Sequence, residues 1–161
     1  MISRDRDAAG RARNDRPRDR LGRPLPPGSA GVARIPDDLD LTPQQTLTFA
    51  QQLLDDGLAF NAHEVLEAAW KNGPVAERML WQGLAQYAVG ITHIQRGNTK
   101  GAGTLLRRAS ERLGTYPANA QQHGVDRAGL VTHARNLLAA LDAGTDIAED
   151  QLRPRLCLSP A

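Results

Sequence analysis

The chain has 161 residues, of which 40% are hydrophobic, 24% charged and only 4% aromatic. This composition is typical of one globular domain and excludes a collagen-like or a largely disordered chain. The net charge of +2 is unevenly distributed, because residues 1–34 hold nine arginines against four aspartates, a balance of +5, and the other 127 residues therefore carry −3. The high overall pI says little about the domain itself.

The first 36 residues are rich in Arg, Asp, Gly and Pro and poor in large apolar residues. Such a segment buries too little surface to offset the entropy of ordering, so we predict a disordered N-terminal arm over residues 1–36. A nucleic acid could bind only to this arginine-rich arm. The interspersed aspartates and the lack of aromatic residues argue against such a partner. Cys157 is the single cysteine, which excludes an intramolecular disulfide and favours a reducing compartment. No secretory signal or membrane-spanning run is visible, so we expect a cytoplasmic protein.

Helical spacing dominates the rest of the chain. Thr42 and Pro43 are typical of a helix start, and Gly57 ends that first helix. Four more helices are predicted at about 61–71, 75–96, 98–113 and 126–143, with Gly97 and Gly144 as C-terminal caps. We therefore predict an all-α fold, a compact bundle of about five helices over residues 38–145, followed by an irregular tail over residues 146–161.

The third helix is charge-free from residue 79 to residue 95. A surface helix would carry charges on its outer face, so this helix is predicted to occupy the centre of the bundle. One apolar stripe is formed by Leu80, Leu84, Tyr87, Ile91 and Ile94. Gln82, Gln86 and His93 form a nearly opposite stripe with Val89, which we expect to be buried and to need polar partners.

Those partners are predicted on the second helix. His63 and Glu67 are four residues apart and share a face with Phe60 and Trp70, whereas Glu64 points to the edge. If the second and third helices pack antiparallel, one polar cluster is expected. Its members would be His63, Glu64, Glu67, Trp70, Gln82, Gln86 and His93.

The stretch 60–113 carries several motifs in a specific order: Phe60 before His63-Glu64, then Glu67, Trp70, "GPVAER", "QGLAQYAVGITH" and "RGNTKGA". It closely resembles the bacterial and archaeal proteins grouped as domain of unknown function family 309. The resemblance implies a small all-helical fold with a polar cluster around the His-Glu pair. It implies no particular reaction.

The cluster allows three kinds of chemistry. A divalent metal could be held by His63, Glu67 and His93, which would suit a metal-dependent, hydrolase-like enzyme. "HEVLE" departs from the zinc-protease motif HExxH because its last residue is a glutamate. His63 with Glu67 could also serve as a general base with an orienting carboxylate, although no nucleophile stands near them in the sequence.

The third possibility is a hydrogen-bonded core that specifies packing and needs no ligand, and a pocket for a small polar ligand would explain a buried carboxylate beside two histidines equally well. The function that we predict is a non-catalytic binding or accessory protein with this buried polar cluster. Its partner would be a protein or a small molecule, no cofactor is established, and a homo-oligomer is possible. His123 and His133 have no partner at a recognisable spacing, so they are predicted to be surface or loop residues. Trp81 is expected in the core or at a subunit contact.

Overall fold

The computed structural model describes residues 16–33, 35–36 and 38–158. These residues contain five α-helices, joined by connections of three to eleven residues. The helices are α1 (Pro43–Asp55), α2 (Ala59–Asn72), α3 (Arg78–Gln95), α4 (Thr99–Thr115) and α5 (Arg127–Ala143). The described part of the chain has no β-strand, only two isolated β-bridges. The prediction of an all-α bundle of about five helices is confirmed.

The helix ends follow from local chemistry. Thr42 and Gln45 form a reciprocal capping box at the start of α1, which satisfies two backbone N–H groups that have no partner inside the helix. Asp126 accepts from the backbone N–H of Gly129 at the start of α5. Gly144 follows α5 with a φ of 66°, a left-handed conformation that glycine adopts without steric cost. The sequence predicted one continuous third helix from residue 75. In the structure, residues Val75–Glu77 form a separate 3₁₀ turn and α3 begins after it.

Helix α3 lies between α2 and α4 and makes its most extensive contacts with them. Two glycines permit the close approach of α4. A Cβ at Gly83 would lie 3.2 Å from Leu113, and a Cβ at Gly90 would lie 2.9 Å from Leu106. Leu106 and Leu113 are fully buried. The central position predicted for the charge-free helix therefore agrees with its packing.

The second stripe of α3 differs from expectation. Gln82, Gln86, Val89 and His93 are only partly buried, whereas every other residue from Leu80 to Thr92 is buried. Neighbouring elements thus cover α3 around most of its circumference and leave this strip partly open. No helix among the described residues is long and apolar enough to cross a membrane.

The segments that precede and follow the five helices in the chain both pack against them. Ile35 is 6% exposed and Leu156 is 1% exposed, and both belong to the core. The bridge between Val125 and Cys157 fixes the C-terminal segment beside the start of α5. The first 15 residues of the predicted disordered arm lie outside the described residues.

Candidate functional site

A cleft of about 280 Å³ lies along α2, and we call it the α2 cleft. Five of the residues that line it occupy one side of the helix: Phe60, His63, Glu64, Glu67 and Lys71. They recur at spacings of three and four residues, which places them on neighbouring rows of an α-helix. Ile35 and Pro36 contribute the opposite wall. The cleft therefore combines ionisable groups with apolar surface.

Glu67 holds the two basic groups of the α2 cleft. Its Oε2 lies 2.9 Å from His63 Nε2, and its Oε1 lies 2.8 Å from Lys71 Nζ. The hydrogen bond from His63, and then the bond from Lys71 and the charges of both, lower the pKa of the Glu67 carboxyl from 4.5 to about 2, although burial acts in the opposite direction. Glu67 is thus a carboxylate with both oxygens engaged, which orients the two side chains beside it.

His63 is fixed at both ring nitrogens. Its Nδ1 lies 3.1 Å from the Phe60 carbonyl oxygen, while Nε2 faces Glu67. The Phe60 carbonyl oxygen and the Glu67 carboxylate are both acceptors, so these two contacts fix the orientation of the imidazole ring. The Phe60 ring lies 5.2 Å from the imidazole, centroid to centroid. The histidine side chain is 19% exposed and remains accessible from the α2 cleft.

Asn61 connects Glu64 to the segment that precedes the helices. Its Nδ2 donates to the Ala33 carbonyl oxygen at 3.3 Å and lies 3.4 Å from Glu64 Oε1. Asn61 is 5% exposed, and its Oδ1 is buried without a partner. This buried amide thus fixes the chain just before Ile35 and Pro36, the far wall of the α2 cleft.

Arginines from two parts of the chain surround Phe60. The Arg18 guanidinium carbon lies 5.1 Å from the Phe60 ring centroid, and that of Arg96 lies 5.8 Å from it. Arg96 Nε also donates to the Leu21 carbonyl oxygen at 2.7 Å. A Cβ on Gly22 would run into the phenyl ring. Residues 18–22 therefore pack tightly over one end of the α2 cleft.

The other predicted cluster members do not line the α2 cleft. His93 Nδ1 accepts from Asn98 Nδ2 at 3.2 Å, at the turn between α3 and α4. Burial, and then the charge of Arg96, lower the pKa of His93. Gln86 Oε1 is buried without a hydrogen bond, and Gln82 is half-buried. The structure thus brings together His63, Glu64 and Glu67, but not the polar stripe of α3.

Trp70 is half-buried beside the α2 cleft, with the Lys71 ammonium 5.9 Å from its ring centroid. Within the described ranges, no group of three or more His, Cys, Asp or Glu side chains could hold a metal ion. His63 and Glu67 contact each other, whereas His93 does not join them in a metal-holding group.

His123 lies in the connection between α4 and α5, in agreement with the prediction of a surface or loop residue, whereas His133 lies in α5 and is partly buried. Both histidines have partners that their spacing did not predict. His123 is 11% exposed, and its Nε2 lies 2.7 Å from Glu77 Oε1. His133 Nδ1 contacts the Tyr87 hydroxyl, and its Nε2 donates to the Gln151 carbonyl oxygen at 2.7 Å. Burial lowers the pKa of His133, which agrees with a neutral ring that accepts at one nitrogen and donates at the other.

Local spacing could not reveal either pair, because 46 residues separate the partners in each. Trp81 is 2% exposed, as the core prediction requires, and it stacks on His123 with centroids 5.8 Å apart.

Comparison with known proteins supports the motif-based resemblance. A 73-residue stretch is 34% identical to the uncharacterised protein YpuF of Bacillus subtilis (strain 168), covering 45% of this chain and 42% of that relative. No solved structure matches the chain. Residues 47–105 match the family model described as "Domain of unknown function (DUF309)". This match covers all of α2 and α3, and it confirms the family resemblance that the motifs indicated.

Proposed function

We propose that this chain is a non-catalytic binding protein and that the α2 cleft takes a small polar ligand. The observation that carries the proposal is the cleft itself, in which an oriented His63, Glu67 and Lys71 face apolar surface. Ligand pockets have volumes of roughly 300–1,000 Å³. At about 280 Å³, the α2 cleft suits a ligand at the small end of that range.

The free donors of the α2 cleft indicate what the ligand carries. An ammonium group has three donor protons, and Lys71 uses one contact on Glu67 while its side chain is 56% exposed. The remaining protons are available to a carboxylate or phosphate oxygen of the ligand. Phe60 and Ile35 offer apolar surface to the rest of the molecule. A small anion with an apolar part fits these groups.

Binding without catalysis fits the same groups better than an enzyme does. Glu67 accepts from His63 and Lys71, and these contacts lower the pKa of its carboxyl to about 2, so this carboxylate orients its neighbours and is a weak base. The described residues that line the α2 cleft include no Ser, Thr, Cys or Tyr that could act as a nucleophile. The alternative, a metal-dependent hydrolase on His63, Glu67 and His93, has less support because His93 lies on a separate hydrogen bond to Asn98.

The test is thermal unfolding of the full chain with a panel of mono- and dicarboxylates and sugar phosphates, and separately with Zn²⁺, Mn²⁺, Fe²⁺ and Ni²⁺. A ligand at about 100 times its Kd adds about 2.7 kcal/mol, which raises Tm by several degrees. We expect an anion to raise Tm in the wild type and not in Lys71→Met or His63→Ala. Glu111→Gln is the matched control, because Glu111 is exposed on α4, outside the α2 cleft.

Two outcomes would count against the proposal. If no anion raises Tm, the α2 cleft is not a site for this ligand class. If one metal raises Tm and both His63→Ala and His93→Ala abolish the rise, the metal-dependent alternative replaces it.

A further inference from the structure

We infer that a second recess, beside Glu77, binds a small primary ammonium ion. This Glu77 recess has a volume of about 110 Å³ and lies where α1, the end of α2 and the start of α3 meet. Its polar lining includes Asp40, Thr46 and Glu77, and its apolar lining includes Leu41, Val65 and Trp81. It is distinct from the α2 cleft, with which it shares only Ala68.

Glu77 presents one free acceptor oxygen. Its Oε1 accepts from His123 Nε2 at 2.7 Å and from Trp81 Nε1 at 3.2 Å. Its Oε2 has no hydrogen-bond partner among the described residues. The Glu77 side chain is 14% exposed. Oε2 is not among the buried atoms that lack a partner, so it stays accessible and can accept a hydrogen bond from a ligand.

Thr46 points independently to an occupant. It is 4% exposed and lines the Glu77 recess, yet its hydroxyl makes no hydrogen bond with any residue that the structure describes. Helical threonines commonly donate to a carbonyl oxygen one turn earlier, as Thr92 does to Ala88. The Thr46 hydroxyl oxygen is not among the fully buried atoms that lack a partner, so it keeps access to the recess, where a ligand could hydrogen-bond to it.

The protein holds His123 on Glu77 through an unusual backbone. His123 has a φ of 53° and is the one non-glycine residue with positive φ within the described ranges. Its carbonyl oxygen accepts from Gln44 Nε2 at 3.2 Å, and its ring stacks on Trp81. Such strained conformations persist where the surroundings enforce them and cluster at functional sites. In this conformation the His123 ring contacts Glu77 Oε1.

Charge and size define the ligand class. Asp40 and Glu77 line the Glu77 recess, and no Lys or Arg is among its described lining residues. Water occupies about 30 Å³ per molecule in the liquid, so the recess holds a group of only a few heavy atoms. An ammonium donates three hydrogen bonds and accepts none, which matches Glu77 Oε2, Asp40 and the acceptor lone pairs of Thr46. A short aliphatic stem would lie against Leu41 and Val65.

The test is an NMR titration of the full chain with ethylammonium chloride, read at the indole N–H signal of Trp81. This proton lies on Glu77 Oε1, so a cation on the same carboxylate shifts it. Trp70, the other tryptophan, lies beside Lys71 and serves as the internal reference, assigned with Trp70→Phe. Ethanol has the same stem without the charge, and sodium chloride controls for ionic strength.

We expect a saturable shift of the Trp81 signal with ethylammonium and none with ethanol or sodium chloride. Glu77→Gln keeps the shape and removes the charge, so it should weaken binding about tenfold or more. Thr46→Val should weaken binding severalfold and gives a second readout if Glu77→Gln alters the fold. Glu67→Gln should bind as the wild type does, which separates this recess from the α2 cleft.

The inference is overturned if the Trp81 signal does not shift saturably or if ethanol shifts it equally. It is also overturned if both Glu77→Gln and Thr46→Val bind ethylammonium as tightly as the wild type. Loss of binding in Glu67→Gln would assign the ammonium to the α2 cleft instead.

Discussion

Glu67→Gln removes the charge that holds His63 and Lys71 while keeping the size of the side chain. In the wild type, one carboxylate oxygen contacts each base, at 2.9 Å and 2.8 Å. The neutral amide can still contact one of them, but it gives neither an ion pair. We therefore expect the variant to fold and to be less stable, with both bases of the α2 cleft more mobile.

The magnitude follows from the pKa of Glu67. A drop from 4.5 to about 2 corresponds to about 3 kcal/mol of stabilisation at neutral pH, at about 1.4 kcal/mol for each factor of ten in the protonation equilibrium. The Glu67 side chain is 33% exposed and Lys71 is 56% exposed, so solvent screens both charges, and exposed pairs contribute at most about 1 kcal/mol. We therefore expect Glu67→Gln to cost about 1–2 kcal/mol.

Urea unfolding at pH 7, pH 4 and pH 3 measures this cost. Because the folded-state pKa is lowered, the stabilisation is fully present above pH 4.5 and is lost as the pH falls towards 2. At pH 3 less than half of it should remain. Glu111→Gln, on an exposed position of α4, should cost roughly 0.5 kcal/mol or less at every pH. The reasoning is refuted if the two variants are equally stable at pH 7, or if the deficit of Glu67→Gln does not shrink at pH 3.

Further predictions concern the core and a buried histidine. Gly90→Ala places a Cβ 2.9 Å from the buried Leu106, so overpacking of about 1–3 kcal/mol should exceed the gain of about 1 kcal/mol in helix propensity, and urea unfolding should show a net loss. Gly114→Ala, in α4, meets nothing within 4 Å and should stabilise the protein by up to about 1 kcal/mol in the same assay. His133 has a pKa below 6.5 because it is buried, so its contribution is fully present above pH 6.5 and falls as the pH drops below that value. The decline in unfolding free energy between pH 6.5 and pH 5 should be shallower in His133→Gln, and an unchanged slope would contradict this.

The helices could be predicted because their signals are local. Thr42 with Gln45 at α1 and Asp126 with Gly129 at α5 lie within four residues of each other, so the sequence itself displays the contact. Hydrophobic periodicity and the charge-free run likewise identified α3 and its position between neighbours. The short 3₁₀ turn before α3 had no such signal, because three residues are too few to establish a period.

In the candidate site, too, contacts between residues close in the sequence could be predicted and contacts between distant residues could not. His63 and Glu67 form the contact that their spacing predicts, since four residues make one turn of helix. Gln86 and His93 were placed in the same cluster on the assumption that two polar stripes must face each other. That step requires the relative rotation of two helices about their axes, which the spacing within each helix does not determine. The pairing of Glu77 with His123, 46 residues apart, depends on the whole fold.

Helix α2 connects both candidate sites through one small residue. Ala68 is 7% exposed and lines both the α2 cleft and the Glu77 recess. Glu67, one residue earlier, lines the cleft, and Ala69, one residue later, lines the recess. A larger side chain at position 68 would have to enter one cavity or the other, because protein interiors leave little other free volume. Alanine at this position is therefore explained by the two cavities together, and not by helix packing alone.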